Sequence, residues 1–267
     1  MTSSYAVASG TRRLTARSVV ASTLLGVSPP ELPTRSLVAT AEILGIAPGT
    51  ARVAMSRMVA GGELEATAEG YRLVGRTLLA RRSRQELSRQ GPAEEWAGWW
   101  QVAIVTAEGR PAGDRAELRD AMAGLRYAEL REGVWLRPDN LPDGVLPDAD
   151  ALVAAQCTVL ASRPDDPAAL AARLWDLHEW SARATGLQSD LDRLTPLLDR
   201  HDHTALADGF VVSAAVLRHL QADPLLPSTL TPPSWPGPRL RRTHRAYDDA
   251  FKATLAAWLR AHQPRTP

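Results

Sequence analysis

One cysteine, Cys157, two phenylalanines and one lysine, Lys252, are all that the 267-residue chain holds of those three types. A lone cysteine closes no internal disulfide, which excludes the disulfide-stapled secreted scaffolds. Its apolar setting, ALVAAQCTVLA, predicts a buried, inert thiol and fits a reducing, cytoplasmic location. No apolar run has the length of a membrane span, so no membrane partner is expected. Arg12-Arg13 precede an apolar stretch in the manner of a twin-arginine export signal. Arg17 interrupts that stretch, and Ser18 and Ser22 dilute it, so residues 14–25 read as the first helix of a domain rather than as a signal.

Catalytic and metal signatures are missing as well. There is no glycine-rich phosphate loop and no Gly-x-Ser-x-Gly elbow. Asp199, His201, Asp202 and His203 form a close cluster, but without the Cys/His spacing of a structural zinc site or the i, i+4 histidines of a catalytic one. It reads as a polar loop between helices. His178, His219 and His262 are expected on helix surfaces. No catalytic residue, metal or cofactor is therefore assigned, and the chain does not read as an enzyme.

What is present is an uneven charge distribution. The net charge is +1. Residues 1–90 hold 12 arginines against 6 glutamates, and the remainder holds 19 basic against 24 acidic residues, giving +6 and −5. A basic N-terminal third on an acidic body points to a polyanionic partner for that third. Arginine enrichment by itself carries less weight, because the chain is rich in alanine and proline and nearly free of lysine throughout, as a GC-rich coding sequence would make it.

Proline-containing polar stretches at QGPAEE (90–95) and SRPDDP (162–167) divide the chain. The division predicts a helical and β unit over 12–90, a mixed unit over 96–162 and a helical unit over 168–262, after a disordered tail at 1–11. In the middle unit a strand is expected at Trp100–Val105 and a helix at Asp114–Gly124. A hairpin of Arg126–Leu130 with Val134–Arg137 turns at Glu132-Gly133, and a further strand is expected over Ala151–Leu160. This order suggests a ferredoxin-like layer whose second helix is poorly marked, because three prolines fall within 138–150. In the last unit, Leu187, Leu191, Leu194 and Leu198 recur at helical spacing. So do Leu240, His244, Tyr247, Phe251, Leu255 and Trp258, with a helix over Asp208–Gln221 between.

The strongest local signal runs from Thr34 to Leu73. Leu37, Ala41 and Leu44 give one apolar helical face, and Gly45 supplies the left-handed turn residue. Pro48 opens a second helix, Pro48–Ala60, at the position where its missing N–H is harmless. Ala51, Ala54, Met55 and Met58 fall on its inner side, and Thr50, Arg52, Ser56 and Arg57 on its outer side. Gly61-Gly62 stops it. Two short alternating strands follow, around a turn at Thr67–Gly70. Helix, turn, helix and two-stranded wing is the winged helix-turn-helix order. The exposed helix suits the major groove, where arginine donates two hydrogen bonds to guanine and small hydroxyls meet phosphates or base edges. Arg35 and Ser36 on the preceding helix, and Arg72, Arg76, Arg81 and Arg82 on and after the wing, complete the candidate DNA contacts.

Eight tryptophans stand against the two phenylalanines. Trp99 and Trp135 of the middle unit, with Arg239, Arg242 and Arg245 near the C-terminus, are candidates for binding a small effector, the rings for stacking and the arginines for phosphates. Core or interface roles for the tryptophans, and a solvated basic surface for the arginines, are the alternatives.

Three stretches carry a resemblance. GIAPGTARVAMSRMVAGGELE followed by GYRLVGR resembles the recognition helix and wing of the PaaX family, named for the repressor of phenylacetic acid catabolism. RDAMAGLRYAELREGVWLRP is similar to its central pattern, and LQADPLLPSTLTPPSWPGPRLR to its C-terminal signature. The resemblance implies an α+β protein with three parts: an N-terminal winged helix-turn-helix, a central ferredoxin-like domain similar to Cas2, and a helical C-terminal domain. It further implies a homodimeric transcription regulator, usually a repressor, acting on double-stranded DNA at an imperfect palindrome and released by a small molecule such as an acyl-CoA thioester. The first strand of Cas2 nucleases ends near an aspartate. The corresponding strand here ends IVTAEG, so nuclease activity is not expected. The short wing turn carries Glu69 where a basic residue would favour minor-groove entry. The competing expectation is a ligand-sensing or scaffold protein whose winged helix contacts protein rather than DNA.

Overall fold

The computed structural model describes residues 14–92 and 95–261. The expected tail at 1–11, the Arg12-Arg13 pair and His262 lie outside the described residues. The chain divides into two compact units between Leu79 and Ala80.

In the first unit, α1 (Ala16–Leu25) starts at a reciprocal cap: the Ser18 amide donates to Thr15 Oγ1 at 3.1 Å and the Thr15 amide to Ser18 Oγ at 3.0 Å. It is followed by β1 (Glu31–Pro33), α2 (Thr34–Ile43), α3 (Pro48–Ala60), β2 (Leu64–Ala66) and β3 (Gly70–Leu73). Val19, Val20 and Leu24 of α1, Leu37 and Ala41 of α2, and Ala51, Met55 and Met58 of α3 are buried against one another. This three-helix core carries an antiparallel sheet in the order β1-β3-β2. Strand β1 was not expected. The three residues Glu31–Pro33 carry no alternation, and pairing with β3 is what makes them a strand.

Helix α4 (Arg76–Gln90) carries the chain across the boundary. The second unit then runs β4 (Trp100–Val105), α5 (Ala112–Gly124), β5 (Ala128–Arg131), β6 (Val134–Pro138), α6 (Pro147–Gln156) and β7 (Cys157–Ser162). All neighbours in the sheet order β5-β6-β4-β7 are antiparallel, which is the ferredoxin-like arrangement. The expected strand over Ala151–Leu160 is corrected: its first half is the end of α6, and β7 begins only at Cys157. A short apolar run does not distinguish strand from helix by periodicity. Pro147 at the first turn, with Asp148 and Asp150 beside the positive end of the helix, decides for helix, and the alanines of 149–155 continue it. Thus α6 is the second helix of the layer.

Each sheet face has its own core. Leu118, Met122, Leu125, Val153 and Cys157 pack with Ala103 on the face covered by α5 and α6. Burial raises the Cys157 thiol pKa above its ordinary value. On the opposite face, Trp100 and Leu136 pack with Leu226, Leu230 and Ala171 of α7 (Pro167–Leu174). Beyond it lie α8 (Leu177–Asp199), α9 (Leu206–Gln221) and α10 (Gly237–Ala261), joined through Leu191, Leu194, Leu198, Val216, Leu220, Leu240 and Tyr247, all nearly inaccessible. His219 is corrected from a surface position: it is buried, stacked on Trp180 at 4.3 Å, with Nε2 3.1 Å from the Trp180 carbonyl oxygen.

A buried polar cluster joins α4, the sheet layer and the C-terminal helices. Arg241 of α10 donates to Asp223 Oδ2 at 2.7 Å and to the Ser88 carbonyl at 2.8 Å. Arg126, held at φ 65°, donates to Ser88 Oγ at 2.7 Å and to the Gln221 carbonyl. Asp223 Oδ1 accepts from the Leu225 amide at 2.8 Å. Burial pulls the Arg126 pKa down to about 10, chiefly by desolvation, with Asp223 opposing.

Two outcomes follow from this unit. Asp223→Ala leaves the Arg241 charge buried without its acid and is expected to cost about 3–5 kcal/mol in urea denaturation; a loss below 1 kcal/mol, the range of surface pairs, would show the pair to be dispensable. His244 is buried and bonded to Ser213 at 3.1 Å. Burial lowers its pKa from 6.5 to about 4, with Asp248 opposing and Arg89 and Lys252 adding to the shift. Between those values the unfolded chain binds a proton that the folded chain does not, so stability falls as pH drops from 6.5 towards 4, by up to roughly 3 kcal/mol. Comparing pH-dependent denaturation of the native chain and His244→Gln checks this: the variant is expected to lose that part of the slope.

Candidate nucleic-acid interface

The turn that precedes α3 is closed by its own backbone. Gly45 takes φ 75°, its amide donates to the Glu42 carbonyl at 2.9 Å, and the Ile46 amide donates back to the Ala41 carbonyl at 2.9 Å. This fixes the angle at which α3 leaves α2. With Ala51, Met55 and Met58 turned inward, Thr50, Arg52, Ser56 and Arg57 are exposed on the outer face, and Ala54 sits at the edge. Val53 and Val59 are also exposed, so the outer face is not uniformly polar. Arg35 is exposed at the start of α2, with Ser36 half-buried beside it.

A cleft of about 320 Å³ runs between α1 and α3, lined by Arg17, Thr50, Val53, Arg57 and Glu63 among others. Arg17 forks onto Glu63, with Nη2 to Oε1 at 2.6 Å and Nε to Oε2 at 3.0 Å. The bond raises the Arg17 pKa above its ordinary value. The structure thus puts a third arginine beside Arg57 that the motif reading left out. Its signal was the cation interrupting the apolar face of α1.

Across the wing sheet, Glu31, Arg72 and Glu65 lie in register on adjacent strands. Arg72 pairs with Glu31 at 2.9 Å and faces Glu65 at 3.7 Å. Two acids therefore flank the one base, and the Arg72 bond holds the Glu31 carboxyl below its usual range. The turn is tied by the Thr67 amide to the Gly70 carbonyl at 2.9 Å and the Gly70 amide to Thr67 Oγ1 at 3.2 Å. Arg76 and Arg81 are exposed on α4, and Arg82 is half-buried.

The candidate effector residues fall in different surroundings. Trp135 packs against the core under α5 and α6, whereas Trp99 is exposed, with the Arg163 guanidinium 4.4 Å above its ring. Arg239, Arg242 and Arg245 are exposed on α10, while the intervening Arg241 and His244 turn inward. None of the five lines either of the two clefts described for this chain.

A helix-turn-helix with a short β-wing, followed by a ferredoxin-like layer and a helical C-terminal part, is the order of this chain. The pattern of the PaaX-like protein matches residues 15–77, that of the PaaX central Cas2-like domain residues 93–172, and that of the PaaX-like C-terminal domain residues 175–261. The chain belongs to the PaaX-like family, whose members are transcriptional regulators rather than enzymes. Among solved structures, the uncharacterized protein Rv0674 from Mycobacterium tuberculosis is similar: 41% identity, a TM-score of 0.70, covering 92% of this chain and 99% of that one. No curated protein matches. Among the described residues no helix is long and apolar enough to cross a membrane.

The wing depends on close backbone approach at Gly70, where a Cβ would lie 2.0 Å from the Leu32 carbonyl oxygen. Gly70→Ala is expected to break the pairing of β1 with β3 and destabilise the first unit by about 1–3 kcal/mol. Amide hydrogen exchange checks this, with protection lost at Leu32 and Gly70–Leu73 and retained in α3; unchanged protection of the strands would contradict the close approach.

Proposed function

We propose that this protein is a sequence-specific double-stranded-DNA-binding repressor that reads its operator with α3. The observation that carries the reading is the exposure of Thr50, Arg52, Ser56 and Arg57 on one face of a helix whose other face is fixed in the core. Laid in the major groove, Arg52 and Arg57 reach base edges or phosphates, and the hydroxyls of Thr50 and Ser56 meet phosphate oxygens. Arg35 and Ser36 approach the backbone from the crossing helix. Arg76, Arg81 and Arg82 add sequence-independent attraction. With Arg72 flanked by two glutamates, the wing contributes less, and discrimination rests on α3.

A homodimer would present two copies of α3 to an imperfect palindrome. A small effector, an acyl-CoA thioester being the class the family implies, would release it by favouring a dimer geometry that does not fit the operator. The exposed Arg239, Arg242 and Arg245 suit the phosphates of such a thioester. Exposed Val53 and Val59 favour the rival reading, in which α3 docks on a protein. In the DNA reading the same valines suit thymine methyl groups.

Gel-shift titration over a range of salt separates the two readings. Arg57→Ala is expected to lose about 1–3 kcal/mol of specific affinity, roughly 5- to 150-fold, with non-specific binding little changed. Arg81→Ala is expected to weaken all sequences alike and to lower the salt slope by about one. Unchanged affinity of Arg57→Ala for the chain's own upstream DNA would remove α3 from its assigned role.

A further inference from the structure

The second unit contains a cleft that the DNA reading does not use. It has a volume of about 310 Å³ and opens beside the end of β6 and the start of α6. Arg137 lines it and is only 6% exposed. Its guanidinium lies over the Tyr127 ring at 5.2 Å, interacts with the Tyr127 hydroxyl, and donates a long hydrogen bond from Nη1 to the Pro138 carbonyl at 3.3 Å. Among the described residues no carboxylate lies within ion-pair distance of it, and its buried Nε meets no acceptor. A buried guanidinium that is neither paired nor fully bonded is costly to hold, unlike Arg241, whose acid is supplied by Asp223.

The cleft also holds an unmatched acceptor. Asp150 lines it, and its Oδ2 is buried without a partner. Burial pushes the Asp150 carboxyl above its usual range, against the pull of Arg137. Asp143 lines the same cleft. The neighbouring Gln101 cannot serve either group, because its amide is committed at both ends: Oε1 accepts from Tyr127 Oη at 2.5 Å and Nε2 donates to Asp139 at 2.8 Å. Leu125 and Val145 supply apolar wall. One cleft thus offers a buried guanidinium whose Nε has no acceptor and a buried carboxylate oxygen without a donor. Two acids against one base favour an occupant with a cationic end as well as an anionic one.

We infer that this cleft is a binding site for a small zwitterion, an α-amino acid with an apolar side chain. Its carboxylate accepts from Arg137, its ammonium donates to Asp150 and Asp143, and its side chain lies against Leu125 and Val145. The inference goes beyond the DNA reading and does not depend on it, since binding is measured without DNA.

Calorimetric titration of the full chain at neutral pH tests it. L-valine or L-leucine is expected to bind. Isocaproate, which lacks the ammonium, and isoamylamine, which lacks the carboxylate, are each expected to bind about tenfold more weakly or worse, as loss of one charge-assisted hydrogen bond implies. Arg137→Gln and Asp150→Asn should each weaken the amino acid by a similar factor, with folding checked by circular dichroism. The series on the native chain decides alone if either variant fails to fold. No heat with either amino acid, or isocaproate binding as tightly as L-leucine, would overturn the assignment.

Discussion

The one-sided burial of α3 is the constraint from which the functional reading grows. Ala51, Met55 and Met58 must face α1 and α2 to close the core of a small unit. At 3.6 residues per turn this forces Thr50, Arg52, Ser56 and Arg57 outward. The helix cannot rotate to hide the arginines without exposing both methionines, worth about 1.5–3 kcal/mol each if fully buried. Gly45 with its two backbone bonds sets the approach of the helix, and the Arg17–Glu63 fork ties α1 to the chain just beyond its end. The backbone that carries these side chains is thereby fixed in advance, which leaves only the side chains themselves to be ordered by a partner.

In the second unit the corresponding constraint is polar. Ser88 on α4, Arg126 after α5, Asp223 before the proline-rich loop and Arg241 on α10 meet in a buried cluster in which only Arg126 Nε lacks a partner. A change at any one leaves charge or donors stranded in low dielectric. Such a cluster suits a junction between the ferredoxin-like layer and the C-terminal helices, because it tolerates one arrangement of the elements. The cleft of Arg137 and Asp150 lies in the same unit and differs in kind: its charged groups are held close but not matched.

Much of this was legible in the sequence, for definable reasons. Helix α3 and strand β4 carry strong local signals: Pro48 and Gly61-Gly62 punctuate the first, and turn residues bound the second. Their limits match the expected Pro48–Ala60 and Trp100–Val105. The apolar run at 151–160 was misread because alanine, leucine and valine serve helix and strand alike, and the deciding cue lay upstream at Pro147. Strand β1 was hidden because its identity lies in its partner. His219 was misplaced because its environment is a stack with Trp180, distant in sequence. The outward arginines of α3 followed from periodicity alone. Arg17 did not, because its position beside Arg57 is a consequence of tertiary packing.

The DNA-reading claim is tested most directly by hydroxyl-radical footprinting of the full chain on its own upstream DNA, comparing the native protein with an Arg52→Ala, Arg57→Ala double variant. The account predicts two protected patches centred about 10 base pairs apart, or a multiple of that spacing, for the native chain. The folded variant should lose both. Uniform protection without sequence preference, or the same footprint from native and variant chains, would contradict it.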